Sequence, residues 1–176
     1  MLTLVGLSGT GKSTVARLLA ERWAWACVDV DQRVEAAAQR SIAEIFADEG
    51  EPAFRALESA QLREVLANDK TVIAAGGGAP CHGDAMDEIL SAGPCVWLHA
   101  AADVLADRVI QSEERPLLGT VDKTRIMDHL SAQLTERESI YGRAHFSVST
   151  EGREPAAVVD AIEALIRSSG EVPWAP

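Results

Sequence analysis

The sequence predicts an α/β fold built on a parallel sheet. Three features predict it: short apolar runs alternating with segments of helical periodicity, a strand–loop–helix opening around a glycine-rich loop, and special polar or glycine residues at strand ends. Leu2 to Val5 is the first apolar run and stops at Gly6. Val15, Leu18, Leu19 and Arg22 then recur at helical spacing, with Ala16, Ala20 and Trp23 widening the apolar face. Ala26 to Val30 is a second strand, interrupted by Asp29 and closed by Asp31. Ser41-Ile42-Ala43-Glu44 reads as a capping box, and Gly50 as a helix stop.

Phe54 to Leu66 is helical again, and Thr71 to Ala75 is a third strand running into Gly76-Gly77-Gly78. Asp84 to Ala92 forms a helix broken by Gly93-Pro94, and Cys95 to His99 a fourth strand. Ala102 to Ile110 is helical. Gln111 to Asp122 is polar and irregular, carries Arg115-Pro116 and Gly119, and reads as a mobile loop. A long helix covers Lys123 to Tyr141, and Phe146 to Ser149 is the fifth strand. Pro155 suits the first position of a helix ending near Arg167, and 168–176 reads as a frayed tail.

At 176 residues the chain is the length of one ordinary domain. Sixteen Lys and Arg against 27 Asp and Glu give a net charge of −11, so the overall field repels nucleic acid and anionic lipid. An anionic substrate needs a local cationic site instead. Aromatic residues are only 5%, which argues against a base-stacking platform. Cys27, Cys81 and Cys95 are scattered without a CxxC, and the four His show no metal spacing. The cysteines read as small hydrophobes of a reducing compartment, and the four Trp and single Tyr as packing residues. No signal peptide or membrane span is legible, and a cytoplasmic monomer with no nucleic-acid or membrane partner is expected.

Gly6-Leu7-Ser8-Gly9-Thr10-Gly11-Lys12-Ser13 is a complete GxxxxGKS between strand and helix. Its glycines let backbone N–H groups converge on phosphate oxygens, and the helix N-terminus adds partial positive charge. Gly9, Thr10, Gly11, Lys12, Ser13 and Thr14 are therefore the ATP-binding candidates. Lys12 supplies a point charge to the β/γ-phosphates, and the Ser13 hydroxyl suits Mg²⁺. No base-reading NKxD is present, and Asp29 follows Lys12 by only seventeen positions. Those two facts favour a small-molecule or nucleotide kinase over a GTPase or a motor.

Asp29 and Asp31 stand at i, i+2 and would share one face of an extended strand beside the P-loop. One suits Mg²⁺ held through water; the other suits the proton of an attacking hydroxyl. A strand-end turn or helix cap is the plainer alternative. Arg55 and Glu58, at i, i+3, read by themselves as a surface ion pair. The glycine triplet serves either close approach to a ligand or a turn. Arg115 is either a solvated loop residue or a group that closes over phosphate, and Arg137 by itself is equally open.

Taken together, GxxxxGKS, Asp29-Val30-Asp31, Phe54-Arg55 with Glu58, the Gly triplet, Arg115-Pro116-Leu117-Leu118 and a late Glu136-Arg137 with Tyr141 resemble the shikimate kinases over about residues 2–167. The resemblance implies a three-layer α/β/α fold of the nucleoside-monophosphate-kinase type, with five parallel strands in the order 2-3-1-4-5. It implies transfer of the γ-phosphoryl of MgATP to the 3-hydroxyl of shikimate, in one kinase domain with an acceptor segment at about 31–62 and a lid at about 111–124. Asp31 then matches the residue on the acceptor hydroxyl and its base, and Asp29 the residue behind the Mg²⁺ waters. Arg55 and Arg137 match the grip on the shikimate carboxylate, Gly77 and Gly78 the backbone at its ring hydroxyls, and Arg115 the lid arginine. Arg108, Arg153 and Pro155 match the groups around the adenine. Departures are Val30, where many members carry Thr, the acidic run Gln111-Ser112-Glu113-Glu114, and Ala79-Pro80-Cys81-His82 after the triplet.

Overall fold

The computed structural model describes residues 1–111 and 122–170. Arg115, Pro116, Leu117, Leu118, most of the expected lid (112–121) and the last six residues of the expected frayed tail lie outside the described residues. Five strands form one sheet: β1 (Leu2–Val5), β2 (Ala26–Asp29), β3 (Thr71–Ala74), β4 (Cys95–His99) and β5 (Phe146–Ser149). Every pairing is parallel and the order is β2-β3-β1-β4-β5, as expected. Seven helices are described: α1 (Lys12–Trp23), α2 (Val30–Ala38), α3 (Ile42–Leu66), α4 (Ala85–Ala92), α5 (Ala102–Gln111), α6 (Lys123–Tyr141) and α7 (Pro155–Ser168).

Alternation along the central strands divides the core in two. Leu2 and Leu4 of β1, Val72 and Ala74 of β3, and Val96 and Leu98 of β4 pack with Val15 and Leu19 of α1 and Val159 and Ile162 of α7. Val5, Ile73 and Cys95 face the other way, onto a cluster that includes Val34, Phe54, Met86, Leu105 and Leu130. Both faces of the sheet are thus covered, which is why β1 and β3 are buried at every position and are apolar except for Thr3 and Thr71. The C-terminal ends of all strands lie on one side, where a parallel sheet receives its ligands. Among the described residues, no helix is long and apolar enough to cross a membrane.

One local expectation changes. The second strand stops at Asp29 rather than Val30, because Asp29 is the N-cap of α2, a helix the sequence pattern did not reveal. Gly50 leaves helical geometry as expected, at φ 78° and ψ 178°, and ends the first helical piece of α3; a second piece starts after it through Glu51 and Pro52. The expected capping box is present. The Glu44 N–H donates to Ser41 Oγ at 3.2 Å, and the Ser41 N–H donates to Glu44 Oε2 at 2.8 Å.

Candidate active site

The loop after β1 is shaped by glycines at positive φ. At Gly6, φ is +137° and a β-carbon would lie 2.2 Å from the Leu98 carbonyl oxygen. Gly11 caps α1 at φ 85° with no side-chain hydrogen bond, so the first amides of α1 are not used up by a capping side chain. The buried Thr10 hydroxyl donates to the Leu7 carbonyl at 2.8 Å and braces the loop from within. Lys12 Nζ folds across its mouth, donating to the carbonyls of Gly6 at 2.8 Å and Leu7 at 2.9 Å. Ser13 and Thr14 are exposed in the first turn of α1.

Arg108 joins this loop to the end of β5. Its Nη1 donates to the Gly9 carbonyl at 3.3 Å and to Thr150 Oγ1 at 2.9 Å, and its Nη2 to the Thr150 carbonyl at 2.7 Å. The Arg153 N–H donates to that same carbonyl at 3.4 Å, and Pro155 opens α7 just beyond. The Arg108 side chain and the Arg153 backbone therefore meet at Thr150, next to the phosphate loop, with Pro155 two residues beyond Arg153. The three hydrogen bonds from Arg108 Nη1 and Nη2 fix the orientation of its guanidinium plane.

Asp29 serves two neighbours at once. Its Oδ1 accepts from the N–H groups of Asp31 at 3.0 Å and Gln32 at 3.4 Å. Its Oδ2 accepts from the Ser13 hydroxyl at 2.5 Å. The two aspartates accordingly do not share one face of a strand. Asp29 is the cap, and Asp31 sits in the first turn of α2, so the cap geometry rather than strand pleating aims them. The Ser13–Asp29 pair offers two hard oxygens beside the phosphate loop, the donor chemistry that suits Mg²⁺. No group of three or more His, Cys, Asp or Glu that could hold a metal occurs among the described residues. Mg²⁺ commonly keeps most of its shell as water and phosphate oxygen, so two protein oxygens fit it.

The acceptor side is assembled around the glycine triplet. A β-carbon at Gly76 would lie 2.4 Å from Glu58 Oε1 and 2.6 Å from Asp31 Oδ1, so the two carboxylates converge on this backbone. A β-carbon at Gly78 would lie 2.7 Å from Arg55 Nη1 and from Nη2. Arg55 Nη1 donates to Glu58 Oε2 at 2.6 Å; Nη2 and Nε reach Glu51 Oε1 at 3.0 and 3.2 Å. Its guanidinium also lies 5.0 Å from the centroid of Phe54. The Arg55–Glu58 pair is not at the surface, since the Glu58 side chain is only 3% exposed and that of Arg55 18%. Burial pushes the Glu58 carboxyl up, against the pull of Arg55, and the neighbouring Asp31 charge adds to the rise.

From α6, Arg137 and Tyr141 complete this wall. The Tyr141 hydroxyl donates to the Gly77 carbonyl, and Arg137, one turn earlier, lies against the same phenol. The described residues thus bring together Asp31, Arg55, Gly77, Gly78 and Arg137 on one side and Gly9 to Thr14 with Asp29 on the other. Glu58, Gly76 and Tyr141, which the sequence offered only as parts of motifs and without a site role, join them. For Glu58 the available signal was its i, i+3 spacing from Arg55; nothing in the sequence told that it is buried.

A profile of the shikimate kinase family matches residues 8–167. A shikimate kinase of Persephonella marina is 34% identical over 164 residues, covering 93% of this chain and 97% of that protein. The crystal structure of a shikimate kinase from Bacteroides thetaiotaomicron superposes with a TM-score of 0.89 at 30% identity, covering 94% of this chain and 97% of that one. A shikimate kinase from Acinetobacter baumannii, solved in complex with shikimate, gives a TM-score of 0.86 at 30% identity, covering 96% and 93% of the two chains. With the phosphate loop, the carboxylate pair and the arginine wall all in place on the expected sheet, the chain belongs to the shikimate kinase family.

Proposed function

We propose that this chain transfers the γ-phosphoryl group of ATP to the 3-hydroxyl of shikimate, giving shikimate 3-phosphate and ADP. The observation that carries the reading is the meeting of Asp31, Glu58 and Arg55 at Gly76 to Gly78, at the C-terminal end of the sheet that also holds the phosphate loop. A small polyol bearing a carboxylate suits a wall with arginine for its charge and carboxylates for its hydroxyls. The Acinetobacter relative holds shikimate itself.

Phosphoryl transfer asks little covalent chemistry of a protein and much positioning and charge neutralisation. Asp31 is the base: its carboxylate takes the proton of the acceptor hydroxyl as that oxygen bonds to phosphorus and the bond to ADP breaks. Lys12 and the amides of Gly9 to Thr14 neutralise the charge that moves onto the phosphates. Ser13 would hold Mg²⁺ directly and Asp29 through water. The ion, when bound, supplies charge neutralisation at the β- and γ-phosphate oxygens. Arg55 and Arg137 grip the acceptor carboxylate, and the Gly77–Gly78 backbone meets its hydroxyls. Arg108, Arg153 and Pro155 bracket the adenine. Arg115, outside the described residues, serves as the lid arginine on the phosphates. The chain acts as a single cytoplasmic kinase domain and as a monomer. Phosphorus NMR of a reaction with MgATP and shikimate tests the reading: a new phosphate-ester signal from shikimate 3-phosphate is expected. ADP and inorganic phosphate alone would refute it.

A further inference from the structure

The phenol of Tyr141 is a buried polar group to which the reaction above gives no task. Tyr141 is the last residue of α6 and is fully buried. Its ring stacks at a tilt on Trp97, centroids 6.0 Å apart, while its hydroxyl donates to the Gly77 carbonyl. Arg137 and the Cys81 thiol lie against the same phenol.

The backbone it holds has no side chains to fix it. Three successive glycines have wide φ/ψ freedom, and the amides of Gly77 and Gly78 donate to no backbone carbonyl among the described residues. In a trans peptide the carbonyl and the next N–H point in opposite directions. A hydrogen bond from Tyr141 to the Gly77 carbonyl therefore turns the Gly78 N–H away from α6. Gly78 is the glycine whose missing β-carbon admits the Arg55 guanidinium. The Gly76 and Gly78 carbonyls accept from the N–H groups of Ala79 at 3.1 Å and Cys81 at 2.9 Å, so the Tyr141 hydroxyl fixes the remaining Gly77–Gly78 peptide, next to Arg55, while it meets Arg137.

We propose that Tyr141 is a positioning residue for the acceptor, its hydroxyl locking the Gly77–Gly78 peptide and Arg137 into the arrangement that receives shikimate. The inference rests on the acceptor reading given above. Burial pushes the phenol up to about 12, so it remains a donor throughout the working range and takes no part as a base. Packing alone does not need the hydroxyl: phenylalanine would fill the same place against Trp97.

Tyr141→Phe separates the two roles, because it keeps the ring and removes the O–H. Calorimetric titration with shikimate and steady-state kinetics on wild type and variant are the measurements. Shikimate Kd and KM should weaken by about tenfold, the loss of one buried hydrogen bond. KM for ATP should stay within about twofold. Combining Tyr141→Phe with Arg137→Lys should cost less than the product of the two single losses, because Tyr141 acts partly through Arg137. Shikimate binding equal to that of wild type, or equal weakening for shikimate and ATP, would overturn the proposal. A wild-type chain that binds no shikimate would overturn the acceptor reading itself, so the two failures are distinguishable.

Discussion

The Ser13 hydroxyl donates to Asp29 Oδ2 at 2.5 Å, tying the first turn of α1 to the end of β2 at the point where a strand becomes a helix. Asp29 therefore has a structural duty through Oδ1, as a cap, and a chemical one through Oδ2. Asparagine caps helices about as well as aspartate, so Asp29→Asn separates them. The Mg²⁺ concentration for half-maximal rate should rise by about tenfold or more, the usual cost of an altered outer-sphere ligand, with little change in Tm. Asp29→Ala should in addition lose about 1 kcal/mol of stability with the cap. An unchanged Mg²⁺ requirement in both variants would remove Asp29 from the metal site.

Gly76 has no left-handed φ, so alanine there meets no backbone strain; the obstacle is the two carboxylates. A methyl group would drive Glu58 and Asp31 apart. Gly76→Ala should lower kcat/KM for shikimate by about 100-fold, the scale of a 1 Å misplacement, with only a small shift in Tm. Near-wild-type kcat/KM would show that the convergence of these acids is not needed.

Arg55→Lys keeps the charge but removes the fork. Charge-assisted hydrogen bonds contribute about 1.5–3 kcal/mol, so KM for shikimate should rise by about 10- to 100-fold while KM for ATP holds. Steady-state kinetics with each substrate varied in turn would decide this, and a KM shared with wild type would take the carboxylate grip away from Arg55.

Glu58 gives opposite signs for activity and stability. Its carboxyl is raised by burial, so at a given acidic pH it is protonated more often than an exposed glutamate. Ionised Glu58 is what holds Arg55 by charge. kcat/KM for shikimate should therefore climb with pH along an acid limb above the ordinary carboxylate range, and Glu58→Gln should remove or lower that limb. For stability, the folded chain binds this proton more tightly than the unfolded one. The Glu58 contribution is present at low pH and is lost as pH rises through its folded value. A pH–rate profile identical in wild type and Glu58→Gln would contradict this assignment.

The strand positions and the phosphate loop were legible because each rests on a local pattern: apolar runs, glycine spacing, and a lysine and serine at fixed offsets; the sheet order came only through the resemblance of the ordered motifs to a family. Asp29 was legible as a candidate, but its geometry was not. An aspartate closing a strand looks the same in sequence whether the chain continues extended or turns into a helix, and here the carboxylate itself starts the helix. Helix α2 was hidden because only Val30 and Val34 of its nine residues are buried, too short a stripe to show a period. Glu58 and Tyr141 were named in motifs but given no site role, for a different reason. Their importance comes from long-range burial against the glycine triplet, and neither a helical glutamate nor a lone tyrosine carries that information locally. Arg55 and Arg137 gained meaning from the ordered set of motifs, and the fold then placed both beside Gly78 and Tyr141.

The central claim is acceptor-dependent phosphoryl transfer to shikimate, and ADP release tests it most directly. Purified chain would be given MgATP with shikimate, gluconate, several nucleoside monophosphates or no acceptor, with Asp31→Asn alongside. The account predicts ADP release that depends on shikimate alone. It predicts that Asp31→Asn loses at least about 100-fold in that rate while binding ATP as wild type does. Release with another acceptor, none with shikimate, or full activity in Asp31→Asn would contradict it.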